Sequence, residues 1–188
     1  DLSRTMAQQK LFDDFCQMLE QQGVSVQYKH LNNSAASVCL EKHYDMVRAG
    51  IVVYGHAPSE EMDLAHMDIR PALSWCSKIS YIKKLEAGCQ ISYGGTFVTC
   101  RPTVVATVPV GYADGYRRCY NKNEVLAGGK RVRILGRICM DFMIVDLTDV
   151  EDPHVGMEVV LLGSQGEEHV SAIEIAAKNE STCGEVTA

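Results

Sequence analysis

Two tyrosines on glycine-bounded turns, an arginine inside an apolar run and a serine at a helix start are the residues of this chain best equipped for chemistry. Tyr93 lies in Ser92-Tyr93-Gly94-Gly95, where the glycines permit close approach of backbone or ligand. A phenol titrates near pH ~10, so it serves as a base only beside a cation; without one, Tyr93 is a surface turn residue. Tyr112 competes for that role in the more conspicuous Gly111-Tyr112-Ala113-Asp114-Gly115, with Asp114 and Arg117 placed to brace the turn. Met140 and Asp141 end the run Arg137-Ile138-Cys139-Met140-Asp141, and the methionine read alone is core packing. Asn33-Ser34 opens a helix directly after a strand, where a hydroxyl and spare backbone N–H groups suit a phosphate. The same pair also reads as a plain N-cap. Arg48 interrupts the apolar run 46–54, a costly placement without a partner; an ion pair at a sheet edge is the alternative. Histidines 30, 43, 56, 66, 154 and 169 show no ligand spacing with one another or with cysteine, so no metal site is expected. They read as structural or surface residues, with His30, ending a strand on the phosphate side, standing apart.

The elements that must position these residues fall into two rhythms. Apolar residues at 11, 12, 15, 16 and 19 predict a helix closed by Gly23. Alternation over 24–28 predicts a strand, a helix runs from Ser34 to near Tyr44, and β-branched 46–54 predicts a buried strand. Residues 57–71, with Pro58, Asp63, Asp68 and Pro71, read as a linker. Strands and turns follow: 73–85, 90–93, 103–109, 123–126, 130–134, 143–146 and 158–162, with Ala127-Gly128-Gly129 as a hairpin signal and a closing helix over 171–178. The fold class is therefore α/β plus all-β. Two βα units cannot close an eight-stranded barrel. Residues 1–69 accordingly read as the tail of a TIM-type (β/α)8 barrel plus linker, and 70–188 as a mostly β, barrel-like domain.

A net charge of −6 over 188 residues argues against a nucleic-acid surface, and no apolar run approaches membrane-span length. The chain has no initiator methionine and begins inside a helical pattern, as an excised segment would. The eight cysteines contain no C-x-x-C pair; they read as reduced cytosolic thiols, with Cys39, Cys76 and Cys139 in apolar settings.

Taken in order, Ser92-Tyr-Gly-Gly95, Gly111-Tyr-Ala-Asp-Gly115 and Arg137-Ile-Cys-Met-Asp141, preceded by His30-Leu-Asn-Asn-Ser-Ala-Ala36 and Met46-Val-Arg-Ala-Gly-Ile51, resemble the alanine racemases. These pyridoxal 5'-phosphate enzymes interconvert L- and D-alanine, and the resemblance runs from near the first residue to the last. It implies an α/β barrel followed by a β domain. It implies that the Ser34 side chain and the Gly50 and Ile51 amides hold the cofactor phosphate and that Arg48 faces the pyridine nitrogen. Tyr93 is then the catalytic base on one face of the substrate. Tyr112 lines the approach to the site, Met140 offers its N–H to the substrate carboxylate, and Asp141 fixes that loop. The resemblance also implies a cytoplasmic homodimer whose β domain serves the other subunit's site, with a small amino acid as substrate and neither nucleic acid nor membrane as partner. The family's cofactor lysine, with a barrel arginine and histidine, belongs upstream of Asp1, so these 188 residues are expected to be inactive alone. Cys183-Gly184-Glu185 stands where the family usually has a tyrosine before the glutamate. A serine or broad-specificity racemase therefore stays open, as does a non-catalytic β module for dimerisation.

Overall fold

The structure, a computed structural model, describes residues 2–59, 61, 62, 64 and 67–188. Asp63 and His66, read above as linker and surface residues, lie outside the described residues. The chain divides into two compact units, Asp1–Ala72 and Leu73–Ala188.

The first unit opens with α1 (Ser3–Gln21), longer at both ends than the predicted 11–19. Its first turns are polar helix formers with little apolar periodicity, so pattern reading passes over them. The helix closes as expected at Gly23: Gly23 N–H donates to the Glu20 carbonyl and Val24 N–H to that of Leu19, at 3.0 and 2.9 Å. Helix α2 (Ser34–Cys39) is capped by Asn33, whose side chain accepts from Ala36 N–H at 3.0 Å. It stops well before Tyr44 because Leu40 turns extended and the buried Asn32 amide donates to the Lys42 carbonyl at 2.9 Å, holding 40–44 as a return loop.

The strands predicted at 24–28 and 46–54 are not formed. The first stretch is irregular, and Ile51–Tyr54 is a 3-10 turn. β-branched composition favours extended backbone, but only partners on both sides make a buried strand. Here, among the described residues, two backbone-to-backbone bonds link the neighbouring segments, Asp45 N–H to the Lys29 carbonyl (3.1 Å) and Arg48 N–H to that of Asn32 (2.8 Å). The two pairs advance together along the sequence, as parallel segments do.

The second unit is antiparallel. Its strands are β1 (Trp75–Lys78), β2 (Tyr81–Leu85), β3 (Gln90–Ile91), β4 (Phe97–Val98), β5 (Thr103–Val108), β6 (Glu124–Ala127), β7 (Lys130–Arg133), β8 (Met143–Asp146), β9 (Glu158–Gln165) and β10 (Glu168–Val170). One sheet runs β1-β9-β6-β7 with β10 on β9, a second runs β2-β5-β8, and β3 pairs with β4. The predicted single strand 73–85 is two strands, because the chain changes sheets between Ile79 and Ser80. Ile79 N–H donates to the Met157 carbonyl, whereas Ser80 N–H donates to that of Thr107. An isolated bridge, Ile134 to Val145, links the two sheets elsewhere. Alternating inward residues of β5, β6, β8 and β9, among them Val108, Val125, Met143, Val145, Val159 and Leu161, fill one core. Trp75, Tyr116 and Tyr120 continue it as successive edge-to-face rings. Helices α3 (Ala172–Lys178) and α4 (Cys183–Thr187) end the chain, α3 capped by Ser171, whose side chain accepts from Glu174 N–H at 3.0 Å. Arg131 on β7 clamps α3: its guanidinium donates to both Glu174 carboxylate oxygens (2.7 and 3.1 Å), to Glu168 (2.9 Å) and to the His169 carbonyl.

Candidate active site

In the first unit, the residues predicted to hold phosphate come together. Ser34 is buried at the start of α2, and its Oγ accepts from Gly50 N–H at 2.7 Å. Of the first-turn amides, Ala36 donates to Asn33 Oδ1 and Ser37 to the Asn33 carbonyl. The amides of Ser34 and Ala35 have no acceptor within the helix. Ile51 follows at the head of the 3-10 turn. The exposed Arg48 donates to His30 Nδ1 (2.8 Å) and to the Leu31 carbonyl (3.0 Å). A guanidinium only donates, so Nδ1 must accept, which assigns the neutral His30 proton to Nε2. Among the described residues Arg48 is thus held by a ring nitrogen and a carbonyl, not by a carboxylate, and His30 is the partner that no sequence spacing pointed to. A hydroxyl, unspent amides and a cation fixed by neutral acceptors are a donor set that fits a phosphorylated ring with an acceptor nitrogen.

In the second unit, the three motifs converge. Tyr93–Gly95 and Tyr112–Asp114 are 3-10 turns, and both lie against the loop 137–142. Tyr112 N–H donates to the Cys139 carbonyl (3.0 Å) and Ala113 N–H to that of Met140 (2.9 Å). Ser92 Oγ donates to the Arg137 carbonyl at 2.5 Å. Glycine at 111 is required by space: a Cβ there would lie 2.2 Å from the Met140 oxygen. Asp114 braces its turn as expected, accepting from Gly111 N–H at 2.8 Å. Arg117 does not; it reaches α4, donating to the Glu185 carbonyl at 3.3 Å. Asp141 makes no side-chain bond among the described residues, and its loop is closed instead by Cys139 N–H to the Phe142 carbonyl at 2.9 Å. The motif side chains point outward: Tyr93 is 66%, Met140 54% and Tyr112 47% exposed. A shallow hollow of ≈540 Å³ opens beside Tyr93, floored by Cys139 and walled by Gln90 and Phe142. Of the three cysteines placed in apolar settings, Cys139 is buried while Cys39 and Cys76 are exposed. Sequence reasoning gave no role to Ser92, and nothing in its type or spacing signals one.

The family profile described as "Alanine racemase, C-terminal domain" matches residues 72–188, and "Alanine racemase, N-terminal domain" matches 1–58. The chain belongs to the alanine racemase family. Among curated alanine racemases, that of Carboxydothermus hydrogenoformans is 45% identical over 180 residues, 94% of this chain and 48% of its own length. That of Halothermothrix orenii is 42% identical over 183 residues, covering 96% and 48%. Among solved structures, the Bacillus anthracis alanine racemase with bound L-Ala-P superposes with a TM-score of 0.92 at 35% identity, over 99% of this chain and 48% of that one. The Clostridium difficile 630 alanine racemase in complex with cycloserine gives 0.90 at 38%, over 99% and 49%. The chain thus spans about half the length of the alanine racemases it matches.

Proposed function

We propose that this chain is the C-terminal half of an alanine racemase. Residues 1–69 are the last two βα units of its TIM-type barrel with a linker, and 70–188 are its barrel-like β domain. The exposed apolar stripe Leu11, Phe15 and Met18 on α1 supports the first assignment, since a helix of a closed barrel would bury such a face. The bridge Ile134–Val145 and the passage 79–80, which join the two sheets at separate places, support the second.

Pyridoxal 5'-phosphate, when bound, acidifies the amino acid's α-hydrogen by drawing electron density from the α-carbon. The Ser34 hydroxyl and the Gly50 and Ile51 amides would hold its phosphate, the Gly50 N–H exchanging its acceptor in this structure, Ser34 Oγ, for a phosphate oxygen. Arg48, oriented by His30 and Leu31, would donate to the ring nitrogen and, unlike a carboxylic acid, would supply no proton to it. Tyr93 takes or returns the α-proton at its hydroxyl on one face; a lysine outside these residues serves the other. Met140 N–H holds the substrate carboxylate, and Tyr112 lines the approach. The exposure of Tyr93, Tyr112 and Met140 supports a homodimer in which each β domain completes the other subunit's site. Among the described residues no helix is long and apolar enough to cross a membrane.

The observation that carries this reading is the stitching of the Tyr93 and Tyr112 turns onto the loop that carries Met140. The experiment is alanine racemisation, with cofactor added, by the full-length protein and by residues 1–188 alone. Activity is expected of the first only. Racemisation by residues 1–188, or none by the full-length protein, refutes the reading; the latter result favours a non-catalytic module. A second reading, serine or broad-specificity racemisation, is favoured by the open space at Gly184, where a Cβ would meet only Thr182 Oγ1 at 3.8 Å. The ratio of kcat/KM for serine to that for alanine decides between the two.

A further inference from the structure

Four residues other than glycine have positive φ among those described: Tyr44, Ser92, Asp152 and Glu180. Ser92 is the one that adjoins the candidate base. Its backbone, φ 61° and ψ −178°, lies in a region that essentially only glycine occupies. Such a conformation persists only where its surroundings over-determine it, and here three contacts do so. Ser92 Oγ donates to the Arg137 carbonyl at 2.5 Å, across 45 residues of sequence. The same oxygen lies 3.7 Å from the buried Cys139 sulfur. Opposite, a Cβ at Gly136 would stand 2.9 Å from both the Ile91 oxygen and Ser92 Cβ, so the two segments meet this closely only because position 136 has no side chain.

A glycine at 92 would take this backbone without strain. What serine adds is the hydroxyl, and the hydroxyl binds the loop that carries Met140. We propose that Ser92 is a positioning residue: it locks the Tyr93 turn onto the 137–140 loop and so fixes the phenol relative to the Met140 amide. The proposal rests on the reading of Tyr93 as the base. The Tyr112 turn is bonded to that same loop, so the segment that carries Met140 is held from both sides, by Ser92 at Arg137 and by Tyr112 and Ala113 at Cys139 and Met140. Proton transfer is sensitive to displacements of an ångström or less, so losing the lock costs rate without requiring loss of the fold.

The test uses the cofactor-loaded full-length protein with Ser92→Gly, Ser92→Ala and Tyr93→Phe. Ser92→Gly removes the hydroxyl and the strain together; Ser92→Ala removes the hydroxyl and keeps the strain. Ser92→Gly is expected to melt at or above the parent, while kcat/KM for alanine falls about tenfold. The α-deuterium isotope effect should rise for the one enantiomer whose α-hydrogen Tyr93 removes, and not for the other. Ser92→Ala should melt below Ser92→Gly. If Ser92→Gly stays within twofold of the parent while Tyr93→Phe loses at least a hundredfold, Tyr93 stands as the base and the proposal for Ser92 falls. Activity lost with isotope effects unchanged in both directions also overturns it, since that is the signature of a merely structural role. Ser92→Ala melting at or above Ser92→Gly overturns the strain argument. If Tyr93→Phe itself stays within twofold, the base assignment fails and this inference with it.

Discussion

Gly111→Ala should be among the most damaging single-methyl insertions in the second unit, and its cost can be worked from the contacts. Gly111 has φ −140° and ψ −163°, an extended conformation open to any residue, so the penalty is purely one of space. An added Cβ would sit 2.2 Å from the Met140 oxygen, 2.4 Å from the Cys139 oxygen and 2.4 Å from the Met140 carbonyl carbon. All three are backbone atoms of the loop 137–142, so no side chain can swing aside. Relief requires the two segments to separate by about an ångström or more, overpacking that typically costs about 1–3 kcal/mol. Separation also breaks the bonds from Tyr112 and Ala113 to those two carbonyls, about 1 kcal/mol each. The sum, about 3–5 kcal/mol, corresponds to a fall in Tm of roughly 10 °C or more for a unit of this size. The control is Gly129→Ala, where φ is 73° but nothing lies within 4 Å, so only a conformational penalty of about 1–2 kcal/mol applies. Urea unfolding of the chain followed by circular dichroism reads both. A Gly111→Ala protein as stable as the parent, or more stable than Gly129→Ala, refutes the steric account of how these turns are held.

Three further outcomes follow from the same contacts. Arg131→Met strips Glu174 and Glu168 of their shared cation and should destabilise the second unit by about 2 kcal/mol in urea unfolding, between the values for exposed and fully buried pairs. Hydrogen bonds from Arg131 hold the Glu174 carboxyl below its ordinary value, so this contribution is complete above the unfolded pKa of about 4.3 and is lost as the pH falls further; Arg131→Met should flatten that acid limb. Burial likewise holds the His56 imidazole below its ordinary value and keeps it neutral, so the first unit should lose stability as the pH falls below about 6.5, and His56→Phe should abolish that earlier transition in a pH-dependent melt.

Legibility in the sequence followed whether an element's partners lie within the chain. The β domain was readable because each of its longer strands pairs with another present strand, so alternation and hairpin glycines correspond to real ladders. The strands β4 and β10 escaped because two or three residues carry no period. In the first unit the β-branched run 46–54 has the composition of a strand but too few neighbours to form one. The N-cap Asn33 and the brace Asp114 act locally and were legible for that reason. The His30–Arg48 bond and the Ser92–Arg137 lock join residues 18 and 45 positions apart, and no local rule foretells such contacts. The resemblance located the candidate site residues; the structure adds how they are held.

The most direct measurement of the central claim compares steady-state alanine racemisation by the full-length protein, Tyr93→Phe and Tyr112→Phe, with cofactor saturating. If Tyr93 moves the α-proton, removing its hydroxyl should lower kcat by about 10²–10⁴-fold while leaving the ring's packing in place. Tyr112→Phe should raise KM more than it lowers kcat. A Tyr93→Phe enzyme within a few-fold of the parent, beside a Tyr112→Phe enzyme that has lost its turnover, would contradict the account and assign the base to the other turn.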